Sequence, residues 1–86
     1  METAIMDREL VLEERKIRLL RFIVDVAQAT LMQQAELTLQ EAFAIMKDTK
    51  QAALNLFPDK DQVYDLIYTP RFLRIISERF AIASGQ

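Results

Sequence analysis

Residues 1–57 contain neither glycine nor proline, and the first residue of either type is Pro58. Nothing in that stretch obviously stops a helix, and a continuous helix would rise about 1.5 Å per residue to a length on the order of 70 to 80 Å. That length is roughly three times the width of a compact domain of this size. The segment must therefore fold back on itself or pack against another molecule.

The long segment repeats every eleven residues. One column of residues at this spacing is polar and comprises Glu14, Asp25, Glu36 and Lys47. A second column is apolar and comprises Leu20, Leu31, Ala42 and Ala53. Eleven residues in three turns correspond to about 3.67 residues per turn, close to the value of an α-helix. The repeat therefore predicts helix throughout, with one side consistently apolar.

The main candidate position for a break in this helix is near Thr38, and residues 48–51 are a weaker candidate of the same kind. The segment from Thr38 to Glu41 fits a capping box, and Leu37 and Ala42 are placed as its hydrophobic staple. However, the eleven-residue repeat continues through this site without a shift. We therefore expect one very long helix over about residues 8–56 and keep a break near residue 38 as the alternative.

The last third of the chain contains clearer signals for where helices begin and end. Pro58 ends the long helix, and Asp59 is placed to cap a short helix over about residues 59–68. Thr69 and Pro70 suit the N-cap and first position of a third helix, over about residues 70–83 and ending near Gly85. We expect its buried residues to be Leu73, Ile76, Phe80 and Ala83. The sequence thus predicts a single all-α domain over residues 1–86, assembled as a helical bundle.

Several kinds of chemistry are excluded by composition. The chain has no cysteine and no histidine, which removes thiolate metal sites and the commonest general base. Gly85 is the only glycine, so no glycine-rich phosphate loop can form. The acidic group Asp59, Asp61 and Asp65 lacks the turn glycine and distal glutamate of a calcium loop. We expect a non-enzymatic protein with no catalytic residue, no cofactor-binding residue, no metal ligand and no cofactor.

The apolar content indicates self-association. Apolar residues make up 51% of the chain, and between residues 19 and 32 they spread over more than one stripe of the helix. Small domains often gain stability by oligomerising. We therefore expect a homodimer or higher oligomer whose interface comprises Leu19, Leu20, Phe22, Ile23, Val26 and Leu31.

A polar patch interrupts the apolar region near the middle of the long helix. It consists of Gln33 and Gln34 with Thr30 and Thr38. Polar residues at a helix seam can fix the register of an oligomer. The alternative is that the patch faces solvent.

The C-terminal third combines aromatic and basic residues. Arginine beside tyrosine is favoured at protein interfaces, and two guanidinium groups three residues apart can bind carboxylates in forked geometry. We predict that the partner-binding residues are Tyr64, Tyr68, Arg71 and Arg74. The leading interpretation is a homo-oligomeric interaction or adaptor protein that contacts another protein through this surface.

The alternative function is a small dimeric DNA-binding or transcription-associated regulator. In that case Arg71, Arg74 and Arg79 would face the DNA, and the two short helices resemble a helix-turn-helix in outline. The net charge of -2 disfavours general nucleic-acid binding. The first residues are acidic and no uncharged apolar run approaches the length of a membrane span, so we expect a cytoplasmic protein with no membrane partner.

Overall fold

The protein is a bundle of helices. The computed structural model describes the backbone of residues 2–81 and the side chains of residues 8–81. Four helices are present in this part of the chain: α1 (Glu2–Gln33), α2 (Leu39–Leu56), α3 (Asp61–Ile67) and α4 (Thr69–Phe80). The same residues form no strand, which confirms the predicted all-α class. None of these helices combines the length and hydrophobicity needed to cross a bilayer.

The chain folds back at residues 34–38, so the prediction of one unbroken helix over residues 8–56 is wrong and the alternative break is right. The capping box is present: Glu41 N donates to Thr38 Oγ1 at 3.1 Å, and Thr38 N donates to Glu41 Oε1 at 2.9 Å. The Thr38 backbone N–H holds the pKa of Glu41 below its usual value. Leu37 and Ala42, the expected staple, are both buried. Local sequence therefore specifies where α2 begins.

The end of α1 is held by a residue from α4. The Arg79 guanidinium donates to the carbonyl oxygen of Leu31 at 2.6 Å and also to the carbonyl of Gln34. The last carbonyls of a helix lack partners within the helix, and a cation at that end interacts favourably with the helix dipole. Because no glycine or proline ends α1, a side chain 48 residues away from Leu31 supplies the cap.

The eleven-residue repeat did not reveal this fold-back. The polar column is exposed throughout, whereas Leu31, Ala42 and Ala53 are buried and Leu20 is half-buried. Two antiparallel helices that share one core produce the same columns as a single straight helix. The repeat therefore identified the buried side correctly, but it could not give the number of helices.

The core is small and receives residues from all four helices. Its largest fully buried side chains are Leu31 of α1 and Phe72 and Ile76 of α4. The other buried apolar residues are Val24, Ala27, Leu37, Ala42, Ala53 and Tyr64. α4 packs against both α1 and α2, so it closes the bundle over the α1–α2 hairpin.

Helices α3 and α4 are almost continuous, and neither begins at the predicted cap. α3 has Lys60 rather than Asp59 at its N-cap position, without a side-chain hydrogen bond. Tyr68 alone links the two helices and has a right-handed helical conformation, so α4 begins at Thr69. The interruption at Tyr68 lies just before Pro70, which has no N–H to continue the hydrogen-bond ladder of α3.

The buried side of α4 differs from the prediction. Ile76 is buried and Phe80 is half-buried, as expected, but Leu73 is 42% exposed and Phe72 occupies the core instead. The larger aromatic ring thus takes the central position. α4 ends where Ala81 adopts a left-handed conformation (φ 51°), a common helix stop. The predicted stop at Gly85 and the predicted burial of Ala83 lie outside the described residues.

The first part of α1 extends beyond the rest of the molecule. The end of α2 reaches only as far as Lys16, whose Nζ lies 5.9 Å from the centre of the Phe57 ring. Residues 8–15, which we call the overhang, are all exposed. Accordingly, the radius of gyration is 16.0 Å, whereas a compact chain of this length would give about 12 Å.

The Arg79 cap predicts a large effect of one substitution. Arg79→Ala is expected to lower the free energy of unfolding by about 2 kcal/mol, because a hydrogen bond to a charged group contributes about 1.5–3 kcal/mol. Urea-induced unfolding followed by circular dichroism measures this change. Arg74→Ala is the matched control, since Arg74 is exposed on the same helix. Equal losses of stability in the two variants would contradict the capping role.

Candidate interaction surface

Three predicted site residues form a stack that runs from the core to the solvent. The rings of Tyr64 and Tyr68 have their centres 5.2 Å apart and are tilted by 37°. The Arg71 guanidinium carbon lies 5.6 Å from the centre of the Tyr68 ring. Tyr64 is buried, Tyr68 is half-buried and Arg71 is exposed. This geometry permits a cation–π interaction that holds the arginine in place.

The four predicted partner-binding residues therefore differ in solvent exposure. Arg71 and Arg74 are exposed on α4, and neither forms an ion pair within the described residues. Tyr64 is only 4% exposed and supports Tyr68 from below, so it presents no area on this surface. Arg79, which the DNA-binding alternative required, is committed to the end of α1.

Exposed apolar residues of α3 lie next to this stack in sequence. Val63, Leu66 and Ile67 are 47%, 77% and 43% exposed. Sequence reasoning assigned them only to a helix, because their spacing is equally typical of a buried side. A helix of seven residues has few neighbours, so most of its apolar area stays uncovered. We call the following set the α3–α4 surface: Val63, Leu66, Ile67, Tyr68, Arg71 and Arg74.

A lysine of α2 fixes α3 in position. Lys50 Nζ lies 2.9 Å from a carboxylate oxygen of Asp61 and 2.9 Å from one of Asp65. Thr69 Oγ1 also donates to Asp65, at 2.8 Å. Hydrogen bonds to Asp61 and then Asp65 raise the pKa of Lys50, and those from Lys50 and then Thr69 lower the pKa of Asp65. Lys50 thus pairs with both carboxylates, although its single positive charge leaves the three groups with a net charge of -1, and among the described residues neither carboxylate pairs with an arginine of α4.

A lysine, Lys50, bridges the acidic pair of Asp61 and Asp65. In the part of the chain that the structure describes, no group of three histidine, cysteine, aspartate or glutamate residues is placed to hold a metal ion. Lys50 occupies the position between Asp61 and Asp65 that a cation would take.

An open groove of about 450 Å³ runs between α1, the end of α2 and α3. Its walls are mainly apolar and include Ile17, Leu20, Leu54 and Ile67, with Tyr64 also lining it. The Tyr64 hydroxyl is buried and has no hydrogen-bond partner among the described residues. Burial raises its pKa to about 12. The groove therefore contains one polar group whose desolvation is uncompensated.

The six residues of the predicted oligomer interface also differ in solvent exposure. Leu31 is fully buried in the core, so it is unavailable to a second molecule. Leu20 and Ile23 are half-buried. Leu19, Phe22 and Val26 are 46%, 64% and 48% exposed. These three residues are the part of the predicted interface that remains open.

The polar patch marks a helix end. Gln33 is the last residue of α1, Gln34 begins the turn, and both are exposed. The Thr30 hydroxyl donates to the Val26 carbonyl at 2.8 Å, and Thr38 caps α2. Of the two interpretations of this patch, the structure therefore supports the solvent-facing one.

The buried Tyr64 hydroxyl gives a second prediction. Tyr64→Phe is expected to raise the free energy of unfolding by about 1 kcal/mol, because an unpaired buried hydroxyl carries an uncompensated desolvation cost. Thermal or urea unfolding near neutral pH measures the gain. Tyr68→Phe is the control and should change stability by less than about 0.5 kcal/mol, since Tyr68 is only half-buried.

The same substitution tests the pKa of Tyr64. In the folded chain this pKa is about 12, above the ordinary value of 10.0. As the pH rises through this interval the unfolded chain loses its proton first, so the wild-type protein loses stability. The Tyr64→Phe variant should show a shallower loss over that interval. Parallel alkaline profiles would indicate that the hydroxyl is solvated.

The chain matches no protein-family model, no curated protein and no solved structure.

Proposed function

We propose that the protein is a non-enzymatic, homo-oligomeric helical adaptor that binds another protein through the α3–α4 surface. The observation that carries this proposal is the exposed Arg71, which stacks on Tyr68; Arg74 is exposed on the same helix, and Leu66, at the end of the preceding helix, is highly exposed. Two forked cations beside apolar area suit a partner segment that carries both carboxylates and apolar side chains. A chain without cysteine needs no oxidising compartment, so we place this activity in the cytoplasm.

Self-association is supported by the apolar area that α1 leaves uncovered. Leu10, Val11 and Leu12 of the overhang are 60%, 45% and 54% exposed. Consecutive residues on a helix point in three directions, so the overhang is apolar on several sides. Together with Leu19 and Phe22 these residues form an extended apolar area, which is typical of protein interfaces.

The third prediction concerns this self-association. The wild-type protein is expected to sediment as a dimer or larger species at micromolar concentration. Phe22→Glu should convert it to a folded monomer, because a carboxylate would be buried in an apolar contact. Phe22 is 64% exposed, so its replacement should not disturb the core. Leu66→Glu is the control on another helix and should leave the oligomer intact.

A wild-type protein that sediments as a stable folded monomer under these conditions would exclude the oligomer. If the Phe22→Glu variant remained oligomeric, the interface would not include this side of α1. Circular dichroism of each variant verifies that the helices remain folded.

The fourth prediction concerns the partner. The double variant Arg71→Glu with Arg74→Glu should keep its helical spectrum and its oligomeric state, since both residues are exposed. It should lose the partner that wild-type protein captures from the native host, because carboxylates would replace the forked cations. Quantitative co-purification measures the loss. The double variant Arg21→Glu with Lys47→Glu carries the same change in charge on α1 and α2 and is the matched control.

Equal capture by the two double variants would contradict the assigned surface. A DNA mobility shift that weakens with salt and is lost in the Arg71 and Arg74 variant would instead support the regulator. With Arg79 occupied at the end of α1, only two of the three arginines needed for that alternative are free to face DNA.

A further inference from the structure

α1 carries a second apolar side that the other helices described here, α2 to α4, leave exposed. Leu12, Leu19, Phe22 and Val26 are each 46% to 64% exposed, and we call them the outward stripe. At 100° per residue they fall within an arc of about 80°, centred more than about 120° from the buried side. The stripe is therefore separate from the hairpin core and accessible to another molecule.

The spacing of this stripe is that of a coiled-coil seam. Steps of three and four alternate from one seam position to the next, through Leu12, Arg15, Leu19, Phe22, Val26 and Ala29. The seam is about 26 Å long from its first residue to its last. Alternation of this kind fits a second helix lying nearly parallel or antiparallel to α1.

Arg15 decides between the two directions. It is the one charged residue within the seam. In a parallel pair at the same register, Arg15 would face Arg15 of the second copy, which brings two like charges into an apolar layer. In an antiparallel pair centred between residues 20 and 21, Arg15 faces Val26 instead. The same arrangement places Leu19 opposite Phe22 and Leu12 opposite Ala29.

The flanking charges fit the antiparallel register. Arg18 and Asp25 border the stripe on the same side of α1, and both are exposed. Within one chain Arg18 forms only a loose pair with Glu14, at 3.8 Å, and its side chain is 76% exposed. In the antiparallel pair Arg18 of each copy lies beside Asp25 of the other. The twofold symmetry produces this complementary contact twice.

We infer that α1 pairs with α1 of a second copy in antiparallel orientation, with the outward stripes in contact and Arg18 paired to Asp25 of the other copy. In this dimer the overhang of each copy lies along residues 26–33 of the other. The inference rests on the proposed self-association and specifies its direction and register. The occupant of the exposed apolar stripe is thus a second copy of this chain.

The absence of cysteine makes a direct cross-linking test possible. Leu12→Cys and Ala29→Cys proteins are prepared separately, mixed and treated with a mild oxidant. The antiparallel pair places residue 12 opposite residue 29, so the mixture should form a disulfide-linked heterodimer that is identified by its mass. Each variant alone should remain largely uncross-linked, because identical positions would lie about 26 Å apart along the axis.

Cross-linking of each variant with itself would establish a parallel pair and overturn the inference. A wild-type dimer in sedimentation that gives no cross-link in the mixture would also overturn it, while leaving the proposed adaptor function intact. A wild-type monomer would refute both the self-association and this inference.

Charge reversal tests the register independently. Arg18→Asp and Asp25→Arg should each weaken the homodimer, on the order of tenfold in Kd, because two attractive contacts become repulsive. An equimolar mixture of the two variants should restore the dimer as a heterodimer, since each contact is again complementary. Arg21→Asp, on an exposed position away from the stripe, is the control and should leave Kd unchanged. Failure of the mixture to associate more tightly than either variant alone would exclude the Arg18–Asp25 contact.

Discussion

The fold depends on how the end of α1 is stabilised. A helix that ends without glycine or proline leaves carbonyl oxygens with no local partner, and here the Arg79 guanidinium of α4 donates to two of them. The same contact holds α4 over the α1–α2 hairpin, where Phe72 and Ile76 complete the core. One side chain thus connects the last helix to the fold-back, so loss of this contact should weaken both the turn and the packing of α4.

Features that depend on residues close together in the sequence could be predicted, whereas features that depend on distant residues could not. The capping box of Thr38 and Glu41 occupies four consecutive residues, so the position of the break was recognisable even though the unbroken helix was preferred. The Arg79 contact joins residues 48 apart, and no sequence pattern indicates it. Burial of Phe72 in place of Leu73 is likewise decided by packing, because both residues fit an apolar side of α4.

For the same reason, only some of the candidate residues have the exposure that the sequence indicated. Exposure of Arg71 and Arg74 follows from the helical period once the buried side of α4 is known. Burial of Tyr64 and the large exposure of Leu66 depend on how α3 lies against α2, which Lys50 determines. Of the oligomer residues, Leu31 was misassigned because two apolar sides of α1 overlap in sequence, and only the position of α2 shows which side is covered.

The two ion pairs of Lys50 should make the α3–α4 surface, which we propose binds a partner, sensitive to ionic strength. α3 has seven residues, too few for a stable isolated helix, and it buries only Tyr64. Its attachment to α2 includes charges that salt screens, so we expect α3 to open at a lower free energy than the rest of the bundle. Added salt would thus loosen α3 and also weaken the attraction of Arg71 for the partner. The affinity for an acidic partner should therefore fall more steeply with salt than expected from the number of charges in contact with that partner.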